Sequence, residues 1–269
     1  MASFADRGDA RIWWEADGEG EPLLLIQGLG YPSDMWYRLL PALTPCFRTI
    51  RFDNRGVGRT GVPPGPYTVE TMAADAVAVL DAAGERSAHV VGASMGGLVA
   101  QEVALSYPDR VRSLVLACTF PGGPDSAPFD PAAAQMVVDR ASMTPEEAAE
   151  AAIPFVYASG TPRARIDEDF AVRLAIPTAP EGYRNQMEGS AQWRGSYPRL
   201  AAIRVPTLVV HGTDDRLVPP ANAELLAGAI PNARLEWIED AGHVFFTDQP
   251  ERTIEVLLGF LPARAAEPG

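Results

Sequence analysis

The chain has no lysine. All 22 basic residues are arginine, set against 35 Asp and Glu, for a formal net charge of −13. Without lysine there is no Schiff-base chemistry, no lysine nucleophile and no phosphate-loop lysine. The acidic excess argues against nucleic acid and against anionic membrane surfaces, since both need basic patches. Cysteine is scarce as well. Cys46 and Cys118 stand alone, too few for a disulfide framework, and both read as buried free thiols. Histidine is limited to His89, His211 and His243. These are scattered, as the cysteines are, and no metal-ligand spacing arises, so neither a metal nor an organic cofactor is expected. No apolar run approaches the ~18 residues of a membrane span. Met1 to Arg11 carries Asp6 and Asp9 and lacks the apolar centre of a signal peptide. These absences together point to a cytoplasmic protein.

What is present is enough for one large core: 269 residues, 47% of them hydrophobic and 21% charged. Apolar runs at Leu23–Gln27, Phe47–Asp53, Ala88–Val91 and Val111–Cys118 alternate with helix-like stretches at Thr68–Ala83 and Met95–Tyr107. Thr68 is a plausible cap, and Gly84 and Pro108 are stops. Arg11–Glu15 and Glu19–Pro22 suggest a strand and turn ahead of these. The apolar runs show little period-2 pattern, which predicts an α/β fold with a parallel sheet covered on both faces. The pattern breaks at Phe120. Residues 120–198 are rich in Pro and Ala and contain no convincing strand. Thr144–Pro145–Glu146–Glu147 predicts a capped helix start, and Thr178–Ala179–Pro180–Glu181 repeats the arrangement. Alternation resumes at Thr207–His211, Ala223–Ile230, Arg234–Ile238 and Glu251–Leu261. The organisation expected is one core, 1–119 with 199–269, interrupted by a helical cap over 120–198.

Chemistry concentrates where a strand meets a helix, at Gly92–Ala93–Ser94–Met95–Gly96–Gly97. A serine on so sharp a turn is held with its oxygen exposed, and side chains two residues either side would strike the adjoining strand and helix. The helix N-terminus also offers amide dipoles to a developing oxyanion. A serine nucleophile needs a base. His89 starts the strand leading to Ser94 and so lies a strand length below it. His211 ends a strand ahead of Gly212 and reads as packing. His243 lies in a loop after a strand and before the last helix, on the side where parallel strands end, and is the base by elimination and position. The acid should come from Gly212–Thr213–Asp214–Asp215, after the Thr207–His211 strand. Spacing does not choose between Asp214 and Asp215.

Taken together, Gln27–Gly28–Leu29–Gly30, Phe52–Asp53–Asn54–Arg55–Gly56–Val57–Gly58, the turn at Ser94, Asp215–Arg216–Leu217–Val218–Pro219 and Gly242–His243 resemble the α/β-hydrolase superfamily over nearly the whole chain. The stretch from Gly65–Pro66–Tyr67–Thr68 is most similar to its small-molecule esterase and enol-lactonase branch. The resemblance implies a mostly parallel sheet flanked by helices with a helical cap inserted. It implies a Ser94–Asp215–His243 triad, since the acid precedes x-x-Val-Pro. It also implies an oxyanion hole made by the backbone N–H groups of Leu29 and Met95. Many members carry His-Gly where this chain has Gln27–Gly28, and carbon–carbon hydrolases often carry Trp where Val244 stands.

The cap supplies Phe129, Met136, Val137, Met143, Phe155, Tyr157, Phe170, Tyr183, Met187 and Trp193. Most should form its own core; Tyr157 and Trp193 are the pocket candidates. Residues 120–198 hold 11 Asp and Glu against 6 Arg, a field that disfavours an anionic substrate, though Arg173 or Arg194 could bind a carboxylate. The function expected is hydrolysis of an ester or lactone of a small, uncharged, fairly apolar molecule through an acyl-enzyme. Carbon–carbon cleavage, perhydrolase or acyl-transfer chemistry on the same triad are alternatives, as is a non-catalytic ligand-binding protein, against which the three residues together argue. The partners expected are the small-molecule substrate and, where the chain self-associates, copies of itself in a homo-oligomer.

Overall fold

The structure is a computed structural model describing residues 2–262. In chain order it contains β1 (Ala2–Asp6), β2 (Arg11–Asp17), β3 (Glu21–Ile26), α1 (Leu40–Leu43), β4 (Phe47–Phe52), α2 (Val69–Ala82), β5 (Ala88–Ala93), α3 (Met95–Ser106) and β6 (Val111–Ala117). There follow α4 (Pro131–Asp139), α5 (Pro145–Val156), α6 (Arg163–Ala175), α7 (Pro180–Ala191), β7 (Thr207–Gly212), α8 (Ala221–Ala229), β8 (Arg234–Ile238), α9 (Phe245–Asp248) and α10 (Pro250–Phe260).

The strands form one eight-stranded sheet in the order β1-β2-β4-β3-β5-β6-β7-β8. β1–β2 and β2–β4 pair antiparallel, and every later pair is parallel. The inner strands β5 and β7 are buried at every residue. A strand covered on both faces is apolar throughout, which is why these runs show no alternation. One face packs on α2, α3 and α8 through Met72, Val79, Leu98, Val99 and Leu226. The other packs on α1 and α10 through Leu39, Leu43, Val256 and Leu257. The β1 strand has no apolar signal in the sequence. Four of its five residues are exposed, and backbone pairing to β2 holds it in the sheet, with only Ala5 buried in the core.

Helix starts follow their caps. Thr68 accepts from Thr71 N at 3.1 Å to open α2. Thr144 and Glu147 make the reciprocal capping pair at the start of α5. Thr178 departs from expectation. Pro180 takes the first position of α7, so the cap residue is Ala179, which makes no side-chain cap bond. Thr178 lies one residue too far out, and its hydroxyl donates to Gly30 O at 2.9 Å instead. Between β6 and β7 the described residues form helices α4 to α7 and no strand. This segment is tied to the sheet layer at its base. Tyr37 Oη and Arg38 Nε donate to the buried Asp169 of α6 at 2.6 and 3.2 Å. No described helix is long and apolar enough to cross a membrane.

Candidate active site

Ser94 sits between β5 and α3 with φ 55° and ψ −121°, a conformation costly for a residue with a Cβ and held by its surroundings. Ser94 N donates to Ala117 O at 2.9 Å, and Thr119 Oγ1 donates to Ser94 O at 2.7 Å. A side chain at Gly92 would strike Gly96 O and Ala100 of α3; one at Gly96 would strike Ile26 O and Gln27 O at the end of β3. Both glycines therefore let α3 start tight against the sheet. As the first residue of α3, Met95 has an N–H without an intrahelical acceptor.

His243 follows β8 in the loop before α9, and its Nδ1 lies 2.8 Å from Asp215 Oδ2. Asp215 is buried and Asp214 exposed, which separates the neighbours that spacing left open. The other oxygen of Asp215 accepts from Leu217 N and Val218 N at 2.9 and 2.8 Å, so the x-x-Val-Pro turn wraps around its own carboxylate. Burial by itself would raise the pKa of Asp215. The charge of His243, with hydrogen bonds from His211 and His243, overcomes that and holds it down at about 2. Ser94, His243, Leu29 and Met95 all line one cavity of about 640 Å³. Phe129, Val137, Met187 and Trp193 of the helical segment line it as well.

A family model of the α/β-hydrolase fold matches residues 21–250. The chain belongs to the α/β-hydrolase fold family. This α/β-hydrolase is 36% identical over 269 residues to a protein of Azorhizobium caulinodans provisionally named as the carbamate hydrolase RutD, with 96% of this chain and 97% of that one covered. It resembles a solved thermophilic esterase from Thermogutta terrifontis, at 31% identity and TM-score 0.83, covering 96% and 97% of the two chains. It also resembles the enol-lactonase from Burkholderia xenovorans LB400, at 26% identity and TM-score 0.85, covering 96% and 99%.

Several residues of the α/β-hydrolase site lie apart from their expected roles. Tyr157, a pocket candidate from the sequence, is not among the residues lining the cavity. Its hydroxyl donates to Asp169 Oδ2 at 3.1 Å and its ring packs with Val156 and Ile166, because the buried carboxylate draws the phenol inward. Trp193 does line the cavity. His89 is a packing residue, with Nδ1 2.8 Å from Ser113 Oγ and its ring edge-on to Phe47; burial lowers its pKa. Cys118 is buried and lines the cavity, and burial, with the charge of Asp215 adding, pushes its thiol pKa well up. Cys46 is partly exposed, since it sits in the turn ahead of β4 and not in the strand.

Three residues gain a role that the sequence reading missed. His211 does more than pack: its Nε2 lies 3.0 Å from Asp215 Oδ2 and 3.0 Å from Val218 O, so Asp215 faces two imidazoles. The i, i+4 spacing of His211 and Asp215 across a strand end was the available signal. Gln186 on α7 accepts from Gly30 N at 2.9 Å and donates to Arg55 O at 2.9 Å. It bolts the Gln27–Gly30 loop to the helical segment, and nothing local in the sequence marks it. Asp248 accepts from Gly242 N at 2.7 Å and Ala158 N at 3.1 Å, bracing the backbone beside His243; burial raises its pKa. Gln27, where a histidine is common, supports its loop directly by accepting from Gly28 N at 3.0 Å. No group of three or more His, Cys, Asp and Glu side chains suited to a metal ion occurs among the described residues.

Proposed function

We infer that this protein is a serine hydrolase that cleaves an ester or lactone of a small molecule with an apolar body, through an acyl-enzyme. One observation carries the reading. Ser94, strained at the start of α3, shares a cavity with His243, whose Nδ1 is held at 2.8 Å by the buried Asp215. With Nδ1 engaged by the carboxylate, Nε2 is the nitrogen left to take the Ser94 proton. Ser94 Oγ attacks the carbonyl, and the Met95 and Leu29 amides carry the negative charge that develops on its oxygen. The imidazolium then protonates the leaving alkoxide, and a water activated by His243 releases the acid. The names of the esterase and enol-lactonase neighbours support the same reaction class. The helices over 120–198 act as a cap whose Phe129, Val137, Met187 and Trp193 exclude water from the acyl group.

The test is covalent. Treatment with an organophosphonate ester sized to the cavity should add one phosphonyl group at Ser94, located by intact mass and peptide mapping. It should block turnover of a 4-nitrophenyl ester series, and His243→Ala should suppress the labelling. Labelling at another residue, or turnover that survives full labelling of Ser94, overturns the assignment.

A further inference from the structure

The cavity that holds Ser94 also contains a buried cation with no anion. Arg140 follows α4 on a short turn, is 6% exposed, and lines the cavity. Its Nε and Nη2 are buried and have no hydrogen-bond partner. Its guanidinium lies 5.1 Å from the centre of the Tyr183 ring and 6.0 Å from that of Tyr31. Arg173 of α6 stacks on the other ring at 4.8 Å from the centre of Tyr31. Arg140 and Arg173 both line a smaller hollow of about 40 Å³ that adjoins through Arg140. Neither makes an ion pair with a carboxylate among the described residues. Other buried and half-buried arginines find partners: Arg38 pairs with Asp169, Arg55 with Asp75 and Arg59 with Asp53, and Arg165 donates to the backbone carbonyls of Thr247 and Asp248.

That contrast is physically telling in a chain where carboxylates outnumber arginines 35 to 22. A guanidinium does not give up its proton at any pH the enzyme meets. Taking one out of water without an anion is among the costliest arrangements a fold can hold. Ring faces recover part of that cost, and they leave the in-plane N–H groups unused. A second, partly buried cation nearby adds repulsion: burial, and then the like charge of Arg140, lower the Arg173 pKa. Folding alone gives no reason to keep this pair free of acid, but an anionic ligand would.

We propose that Arg140, backed by Arg173, is a carboxylate-binding subsite, and that the substrate is an ester or lactone carrying a free carboxylate beyond an apolar spacer. The proposal rests on the serine-hydrolase reading and names its substrate class. The planar fork of a guanidinium matches a carboxylate with two parallel hydrogen bonds, and Nε with Nη2, the two unused donors, is one side of that fork. Ser94 and Arg140 face one cavity, so the carboxylate and the scissile carbonyl belong to one molecule. Phe129, Val137 and Met187 of the same cavity suit the apolar stretch between them. The net acidity of residues 120–198, which pointed to an uncharged substrate, is a surface property. Arg163, for example, meets Glu150 and Asp167 at the exposed side. The field inside the cavity has the opposite sign.

The experiment compares two matched series on the full chain: mono-4-nitrophenyl esters of adipic to sebacic acid, and 4-nitrophenyl esters of the straight-chain monoacids of equal length. The wild-type protein should prefer the carboxylated member at its best length by about 10-fold or more in kcat/KM, with the gain in KM. Arg140→Met should reduce that preference ratio about 10- to 100-fold, the worth of a charge-assisted hydrogen-bonded pair. Arg140→Lys should restore part of it, which replacing a merely space-filling residue would not do. Free adipate or suberate should raise the Tm of the wild-type protein and not that of Arg140→Met. A wild-type ratio near one, or a ratio indifferent to Arg140→Met in a variant that still labels at Ser94, overturns the subsite. Loss of Ser94 labelling in Arg140→Met makes the Arg140→Lys ratio decisive: an unrestored ratio there overturns the subsite too. Absence of turnover of both series by wild-type protein, with no phosphonate labelling, overturns instead the hydrolase reading beneath it.

Discussion

Asp214 and Asp215 are chemically the same side chain one position apart, and the fold gives them opposite surroundings. Asp214 is exposed, whereas Asp215 accepts two backbone N–H bonds and faces His243 and His211. If Asp215 orients His243, Asp215→Asn disturbs the tautomer and the charge that stabilises the imidazolium. Its kcat on a 4-nitrophenyl ester should fall on the order of 10⁴-fold, while Asp214→Asn stays within a few-fold of wild type. Steady-state kinetics on the two purified variants check this, and comparable losses in both reassign the acid. The serine at the strand-to-helix turn was readable from the sequence because the strand–glycine–serine–glycine–helix pattern is local. Spacing did not choose the acid. The resemblance implied Asp215 through x-x-Val-Pro, and the fold supplies the reason, since the turn at Leu217 and Val218 wraps that carboxylate. Arg140 is harder still. An arginine in a Pro- and Ala-rich segment reads as a solvated charge, and only packing against Tyr31 and Tyr183 reveals otherwise.

At the level of elements, the site is assembled from two parts that never meet in sequence. The Gln27–Gly30 loop ends β3, and α7 lies more than 150 positions later. Gln186 joins them by satisfying Gly30 N and Arg55 O together. Gln186→Leu leaves both backbone groups buried and unpaired. Each such loss costs about 1–3 kcal/mol, so the variant should unfold at lower urea, losing roughly 2–6 kcal/mol in total. Its residual folded fraction should show reduced kcat on esters, because the Leu29 amide is carried by the loosened loop. Equilibrium unfolding and kinetics below the transition check both, and an unchanged kcat removes the link between α7 and the oxyanion role proposed for Leu29. The elements themselves were largely legible. Caps at Thr68 and Thr144 mark helix starts, and uniform apolar runs mark buried parallel strands. Thr178 misled because a proline two residues on moves the cap to Ala179. The β1 strand escaped notice because an exposed edge strand needs no apolar residues.

Across the whole molecule, the charge of −13 surrounds a cavity whose buried charge is positive. An anionic substrate is repelled at long range and held at short range. Salt screens the first interaction over a Debye length of about 8–10 Å, and it reaches a buried guanidinium much less. Raising ionic strength from about 0.01 to 0.15 M should therefore increase kcat/KM for the carboxylated ester series, mainly through the association step. It should leave the uncharged series nearly flat. Stopped-flow or initial-rate measurements at several salt concentrations check the difference between the two series. A fall in the carboxylated series with salt would mean that a positive surface funnel, absent from the acidic reading of this chain, dominates approach.

By itself the sequence determined the α/β architecture, the serine at the strand-to-helix turn and the histidine in the last loop. Each is written in a short stretch of chain: a uniform apolar run, a glycine spacing, a position after a strand. The x-x-Val-Pro resemblance implied Asp215 over Asp214, and tertiary structure supplied the reason by burying that carboxylate against His243. Tertiary structure alone decided that His211 adds a second imidazole, that Tyr157 turns toward Asp169 and does not line the cavity, and that Arg140 is buried without a counter-charge in the cavity that Ser94 lines. These depend on which groups the folded chain brings into contact and on where water is excluded. Burial fixes both the cost of a charge and the identity of its partner, and burial is a property of the folded chain.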